Sequence, residues 1–267
     1  MHVYASALDS YKQSWGEEFN YVTIPDPTPI TLTVNVANAG GLKTAIEDAV
    51  AAKESTIYDV VGITVTGTIN NDDLCTLSAM CTGVYSLATI DLSGASIEGN
   101  YIGDNVFRDR EKLTSIILPE TLEYIYDASF HNCDGLTSID IPASVKSLWH
   151  NAFSSCDNLK TVTGLEGLSN NDMCMAWNVF SGSPITHPVY GGTVFCYMPS
   201  TMTGEYEVPA GIKVTTSNAM LGSQLSAITL PASLTDLGDD TFQNCPNLVD
   251  IYCYASTPPV CHSGVWE

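Results

Sequence analysis

The sequence predicts an α/β repeat solenoid. Short parallel strands alternate with mostly irregular, turn-rich connections, and an α+β cap closes the N-terminal end. Three observations predict it. Residues 113–135, LTSIILPETLEYIYDASFHNCDG, are followed at once by residues 136–158, LTSIDIPASVKSLWHNAFSSCDN. The same register returns near the C-terminus, with proline at 119, 142 and 231 as its marker. Ahead of the repeats lies a stretch that mixes strand and helix periodicities.

Residues 1–29 carry PDPTP and no clear period, and are expected to be a linker or tether remnant. Residues 30–86 form the cap. ITLTVNV (30–36) alternates β-branched residues as a strand does. LKTAIEDAVAA (42–52) places Leu42, Ile46, Ala49 and Val50 on one helical face. TIYDVVGITVTGTI (56–69) is a second strand, and NNDDLCTLSAMC (70–81) opens with helix-capping residues. A solenoid end exposes apolar rungs, so a cap is physically required.

The solenoid occupies residues 87–258. From each marker proline, an apolar residue stands three on (Leu122, Val145, Leu234) and six on (Ile125, Leu148, Leu237). Phenylalanine stands eleven on (Phe130, Phe153, Phe242) and cysteine fourteen on (Cys133, Cys156, Cys245). Leu136, Leu159 and Leu248 then open the next unit. The consensus is L-x-x-I-x-[LI]-P-x-x-[LV]-x-x-[IL]-x-x-x-[AST]-F-x-x-C-x-x. Degenerate units flank it, one opening at Leu87 and reaching Phe107, another opening at Leu159 and reaching Phe180. Residues 185–224 make a 40-residue unit with Pro209, Ile212 and Met220 in the marker slots; an inserted hairpin or strand is expected within 185–208. The last unit breaks at Pro258-Pro259, leaving 259–267 as the C-terminal end.

The period has a simple physical reading. L-x-x-I-x-L is a short strand with alternate residues inward. Proline ends it where no further ladder bond is needed. The A-F-x-x-C turn closes the coil, and its Phe stacks on those of neighbouring coils. One coil cannot bury its own apolar face, so coils must stack.

These residues, the L-x-x-I-x-[LI]-P strand and the A-F-x-x-C turn, resemble the BspA-like class of bacterial leucine-rich repeat surface proteins. The ninth position holds Thr121, Ser144 or Ser233 rather than the Asn or Cys of the commonest leucine-rich consensus. The resemblance implies a curved leucine-rich repeat solenoid, export to the bacterial surface or periplasm, and a role in adhesion. It implies no catalytic residue.

Composition narrows the partners. The chain has 267 residues, 45% apolar, with 30 acids against 9 bases and a net charge of −21. Such a surface repels phosphate backbones and anionic lipid headgroups, which argues against nucleic acid. The acids serve solubility, and calcium, cationic peptides and neutral glycans are compatible partners. No apolar run is long enough to span a bilayer. MHVYASALDS lacks the features of a secretory leader. Either the protein is cytosolic, or the numbering begins after a removed leader or with an added methionine; export, or anchoring through lipid, would then rest on a leader outside this sequence.

Candidate chemistry is sparse. Nine cysteines include no CxxC pair and no Cys/His cluster with zinc spacing. Cys75/Cys81 and Cys253/Cys261 are spaced so that local disulfides could form on export. The Cys133, Cys156 and Cys245 series is read as buried filler. His2, His131, His150, His187 and His262 are scattered, without a metal or catalytic spacing. Asp72-Asp73 and Asp239-Asp240 are read as solvated or helix-capping acids. No cofactor or metal is expected.

The outward face of the parallel sheet is the candidate binding surface. Its slots are Ser115, Ile117, Ser138, Asp140, Thr161, Thr163, Ala227, Thr229, Asp250 and Tyr252. Ser115, Ser138, Asp140, Thr161, Thr163, Thr229, Asp250 and Tyr252 are the contact candidates, for a protein or glycan partner. Aromatic anchors gather elsewhere: Tyr252, Tyr254 and Trp266 near the C-terminal end, and Tyr190, Tyr197 and Tyr206 around the insertion. Three functions follow. The first is an interaction or adhesion module, the second a rigid spacer without a ligand. The third is a glycan-active enzyme using Glu205 and Glu207, which would need a deep cleft holding two carboxylates ~5–9.5 Å apart.

Overall fold

The structure is a computed structural model that describes residues 2–4, 7–16, 21–24, 28–168 and 178–265. Residues 1–29, expected to be a tether, contain a strand–helix–strand unit. In it β1 (His2–Tyr4) pairs in parallel with β2 (Val22–Ile24), with α1 (Leu8–Trp15) between them. Three-residue strands are too short to show a period. No residue of α1 is buried, so no apolar stripe marks it in the sequence.

The elements of residues 30–86 follow the predicted order. β3 (Ile30–Val36) buries Leu32, Val34 and Val36 in strict alternation. α2 (Leu42–Ala52) buries Leu42, Ile46 and Val50, one turn apart. β4 (Val60–Ile69) starts four residues later than the pattern suggests, because Ile57–Asp59 form a 3-10 turn closed by a Thr56/Asp59 capping box. α3 (Asn71–Ala79) is capped by Asn70, whose side chain accepts the Asp73 N–H at 3.0 Å. The Asp73 carboxylate accepts the N–H groups of Asn70, Gly40 and Leu42 at 3.1, 2.7 and 3.1 Å. One buried acid thus ties the start of α2 to the start of α3.

About eight turns of solenoid follow. In chain order their strands are β5 (Thr89–Ile97) and β6 (Tyr101–Ile102), then β7 (Ser115–Ile117) and β8 (Tyr124–Ile125). Next come β9 (Ser138–Ile141) and β10 (Ser147–Leu148), then β11 (Thr161–Gly164). After them lie β12 (Val189–Gly191), β13 (Val194–Tyr197), β14 (Thr203–Glu207) and β15 (Val214–Thr215). The last four are β16 (Gln224–Leu230), β17 (Asp236–Leu237), β18 (Asp250–Cys253) and β19 (Val260–Cys261).

Three faces hold the coils in register. The first is the predicted parallel sheet, present as three blocks: β3-β4-β5-β7, β9-β11 and β14-β16-β18. β7 and β9 stay adjacent but are not paired as one ladder. The second face, made after the proline, carries their register across this break. There β6, β8 and β10 pair in parallel, Tyr124 opposite Ser147 and Ile125 opposite Leu148. The third face is the Phe turn. Nine and thirteen residues after the proline, each full coil has a residue with positive φ: Ala128 and Asn132, Asn151 and Ser155, Asn218 and Gly222, Asp240 and Asn244. Asn, Asp and Gly tolerate this left-handed conformation best. The two kinks aim N–H groups along the solenoid axis. Phe107, Phe130 and Phe153 donate to the carbonyls of Ser129, Ala152 and Val179 in the next coil, at 2.7, 2.8 and 2.8 Å.

Inside, the phenylalanines stack as predicted. Phe107, Phe130, Phe153 and Phe180 are all buried, with successive ring centroids 5.2, 5.0 and 5.9 Å apart and nearly parallel planes. Gly164 ends β11 in a left-handed conformation; a Cβ there would lie 1.9 Å from the Ile141 carbonyl oxygen of the coil below.

The 40-residue unit at 185–224 holds the expected hairpin, β12 on β13, as part of a short coil that precedes a regular one. Residues 203–223 make a regular one: β14 pairs with β16 in parallel, and Met220 fills the Phe slot. Residues 185–202 make a short one. Its β12 folds back antiparallel on β13, and β13 then joins the second face by pairing with β15. The apolar core divides here. Val194 and Cys196 belong to the core of the preceding coils, Phe195 to that of the following ones. A single strand therefore sends alternate side chains into two cores.

Candidate interaction surface

The predicted contact residues fall on the first face in three groups. Ser115 stands opposite Thr89 in the first block. Ser138 and Asp140 face Thr161 and Thr163 in the second block, where the Thr163 hydroxyl donates to Asp140 at 2.6 Å. Thr229 and Tyr252 share a row with Glu207 in the third, and Asp250 shares one with Ala227 and Glu205. All eight are exposed except Thr229, which is half-buried. Ala227 is buried, because its single methyl lies between the longer Glu205 and Asp250. Ile117 and Tyr252 are each 51% exposed.

Most other candidates have structural employment. Each ladder cysteine donates its thiol to the Phe-slot carbonyl of the preceding coil: Cys133 to Phe107 at 2.9 Å, Cys156 to Phe130 at 3.0 Å, Cys245 to Met220 at 3.1 Å. Where a coil lacks the cysteine, serine replaces it: the Ser183 hydroxyl donates to the Phe153 carbonyl at 2.8 Å. Burial pushes the thiols up, to about 12 for Cys81 and about 11 for Cys156. Cys81 and Cys156 therefore stay protonated near neutral pH, away from the thiolate that attacks a substrate. Cys75, Cys81, Cys253 and Cys261 are free thiols, and no metal-binding group of His, Cys, Asp or Glu occurs among the described residues.

The acids bind backbone. Asp104 accepts the N–H of Asp127, Asp127 that of His150, Asp134 that of Asp157, and Asp239 that of Ser263, at 2.7–3.1 Å. Each bond joins one coil to the next. His150 also meets Asp127 at 3.1 Å, His131 meets the Ser154 hydroxyl at 2.8 Å, and His187 accepts the Val162 N–H at 3.4 Å. His262 lies 4.0 Å from Asp236; the side chain of His2 lies outside the described residues.

Glu205 and Glu207 stand exposed on the open face of β14. A cleft of about 180 Å³ lies on the third face, and among the described residues that line it there is no carboxylate. Its walls are the turn at 178–182 and residues 216–218 and 221; its floor is Cys196, Tyr197 and Ser200 of the short coil. The sequence signalled the aromatics here but not the space. Burial raises the Tyr197 hydroxyl above its ordinary range and pushes that of Tyr206 up to about 12. Tyr190 is exposed and stacks over Phe195 at 6.2 Å. At the C-terminal end Tyr252 and Tyr254 are exposed; Trp266 lies outside the described residues.

Comparison with known proteins follows the same outline. Residues 82–195 and 191–258 match the model of the BspA type leucine rich repeat region, in six copies. No curated protein matches the chain. Similar solved structures include a leucine rich cell surface protein from Faecalibacterium prausnitzii A2-165, 19% identical over 70% of this chain and 64% of that one, TM-score 0.37. A leucine-rich repeat protein from Bacteroides ovatus ATCC 8483 is 19% identical over 62% and 49%, TM-score 0.40. The pneumococcal vaccine antigen PcpA is 20% identical over 72% and 50%, TM-score 0.34. The chain thus spans less than two thirds of the length of each. With the repeat matched over most of its length, this chain belongs to the BspA-type leucine-rich repeat family.

Proposed function

We propose that this chain is a non-enzymatic interaction module of the bacterial cell surface, which presents its outward sheet face to a protein or glycan partner. One observation carries the reading. The exposed slots of that face hold short hydroxyl and carboxylate side chains in fixed rows, with no Lys or Arg among Ser115, Ser138, Asp140, Thr161, Thr163, Thr229, Asp250 and Tyr252. Such rows are pre-ordered donors and acceptors, which lowers the ordering cost of binding. Family membership supports an interaction or adhesion role, and surface location fits it. Asp104, Asp127, Asp134 and Asp239 accept backbone N–H groups, and Glu205 and Glu207 stand exposed on β14. No described helix is long and apolar enough to cross a membrane.

The test is capture by the whole chain on a glycan array and on a panel of host matrix proteins. At least one partner is expected, with capture falling about tenfold in Thr163→Lys, which places a bulky cation in the middle of the face. Blank arrays and blank pull-downs overturn the reading. They would favour a second one, a rigid spacer, for which the three stacked faces of the solenoid are the supporting observation.

A further inference from the structure

The cleft on the third face exists because the short coil has no Phe turn. Full coils make that turn with two left-handed residues. Between residues 193 and 203 no described residue has positive φ, and the chain crosses the face at Met198, whose N–H reaches the Ala219 carbonyl. The turns at 178–182 and 216–222 are therefore held apart with a gap between them.

Several polar side chains of the third face bond to the neighbouring coil, as Asp127 and Asn132 do. In the cleft the side chains of Asn178, Ser181, Tyr197, Ser200, Ser217 and Asn218 make no hydrogen bond among the described residues. All six are neutral and able to donate. The half-buried Tyr197 adds ring surface, held edge to face against the buried Phe180 with centroids 6.1 Å apart.

We propose that this cleft binds a single neutral pyranose ring, the end residue of a glycan. The proposal rests on the interaction-module reading and names its glycan. Sugar hydroxyls donate and accept, as do the serine, tyrosine and asparagine groups that face them, and the C–H face of the ring packs on aromatic carbon. An anion finds no cation among the described lining residues and meets a chain of charge −21. A cation finds no carboxylate among them. The volume, about 180 Å³, is below the ~300–1,000 Å³ of drug-sized sites, so it suits one ring rather than a chain.

The experiment is saturation-transfer NMR on the whole chain with three neutral methyl pyranosides: a hexoside, a 6-deoxyhexoside and an N-acetylhexosaminide. Methyl glucuronide is the charged control. At least one neutral pyranoside is expected to bind and to lose affinity at least tenfold in Ser217→Trp, which fills the gap. Loss of about fivefold is expected in Tyr197→Phe, a change that keeps the ring and the packing. No transfer from any neutral pyranoside overturns the proposal, as does binding unchanged in Tyr197→Phe and Ser200→Ala alike, or the glucuronide binding equally well. If the chain captures a matrix protein but no pyranoside, the cleft proposal falls and the interaction reading stands. If a pyranoside binds in the cleft while Thr163→Lys leaves every capture unchanged, the cleft stands and the sheet-face reading falls.

Discussion

The coils at 113–158 and the coil at 185–202 share one axis and two of its faces, yet they solve opposite problems. The former repeat their letters, so every buried group meets its counterpart one coil away: Phe130 on Phe153, the Cys156 thiol on the Phe130 carbonyl, the Asp127 carboxylate on the His150 N–H. The latter breaks the repeat. It turns one strand back on itself, splits the core between Val194 and Phe195, and leaves six polar side chains without a hydrogen bond among the described residues around a gap. Regularity removes loose ends. A binding site needs some, and they collect where the repeat fails.

The comparison can be broken by mutation, starting with the stack. Phe153→Ala in the regular region should cost about 3–5 kcal/mol, read as a shifted urea midpoint. In a chain of this size each kcal/mol is worth ~2–4 °C of Tm, so the melting temperature should fall by roughly 10 °C. A smaller effect than about 1 kcal/mol would mean the stack is not a shared support.

Next in size is the bond from the cysteine slot. Cys156→Val, one carbon larger, keeps the slot apolar but strands the Phe130 carbonyl and should cost about 1–2 kcal/mol. Cys156→Ser should cost less, because Ser183 already fills that slot with the same bond to Phe153. Equal costs for the two variants would show that filling, not bonding, selects the residue.

Thiol chemistry gives a third contrast. The Cys156 thiol, pushed up to about 11 by burial, forms thiolate only as pH rises through that value. At pH 8 in the folded chain Cys133 and Cys156 should resist iodoacetamide while Cys75, Cys253 and Cys261, all exposed, are alkylated, as peptide mass spectrometry would register. Labelling of Cys156 at a similar rate would place that coil in frequent opening.

The smallest effect belongs to the short coil. Ser200→Ala and Asn218→Ala remove side chains that hold no protein partner, so each should stay within about 0.5 kcal/mol of the parent. A cost near that of Cys156→Val would show that the cleft groups support the fold.

The regular region was legible because identical letters recur at a fixed period and each letter has one job. Phe130, Phe153, Leu136 and Leu159 could be placed in the core from spacing alone. The left-handed turn positions were not legible, because Ala128, Asn151 and Asp240 occupy the same slot with different side chains; backbone conformation, not chemistry, is what they share. Ser183 escaped notice since the slot was defined by cysteine. The short coil was hidden within a longer unit because Met198 and its neighbours carry no marker proline or phenylalanine. On the first face, spacing gave the alternation of Asp140 and Thr163, but not the break between β7 and β9 or the burial of Ala227, both of which depend on neighbouring coils.

The two-sided strand β13 also has a mechanical meaning. Stacked coils transmit force only through their nearest neighbours, so a chain tethered at one end and pulled at the other parts first at its poorest junction. With Val194 and Cys196 anchored upstream and Phe195 downstream, that junction lies at the short coil. Pulled from its two ends in a single-molecule force measurement, the chain would give up its last three coils as one piece and keep the stacked phenylalanines before them intact.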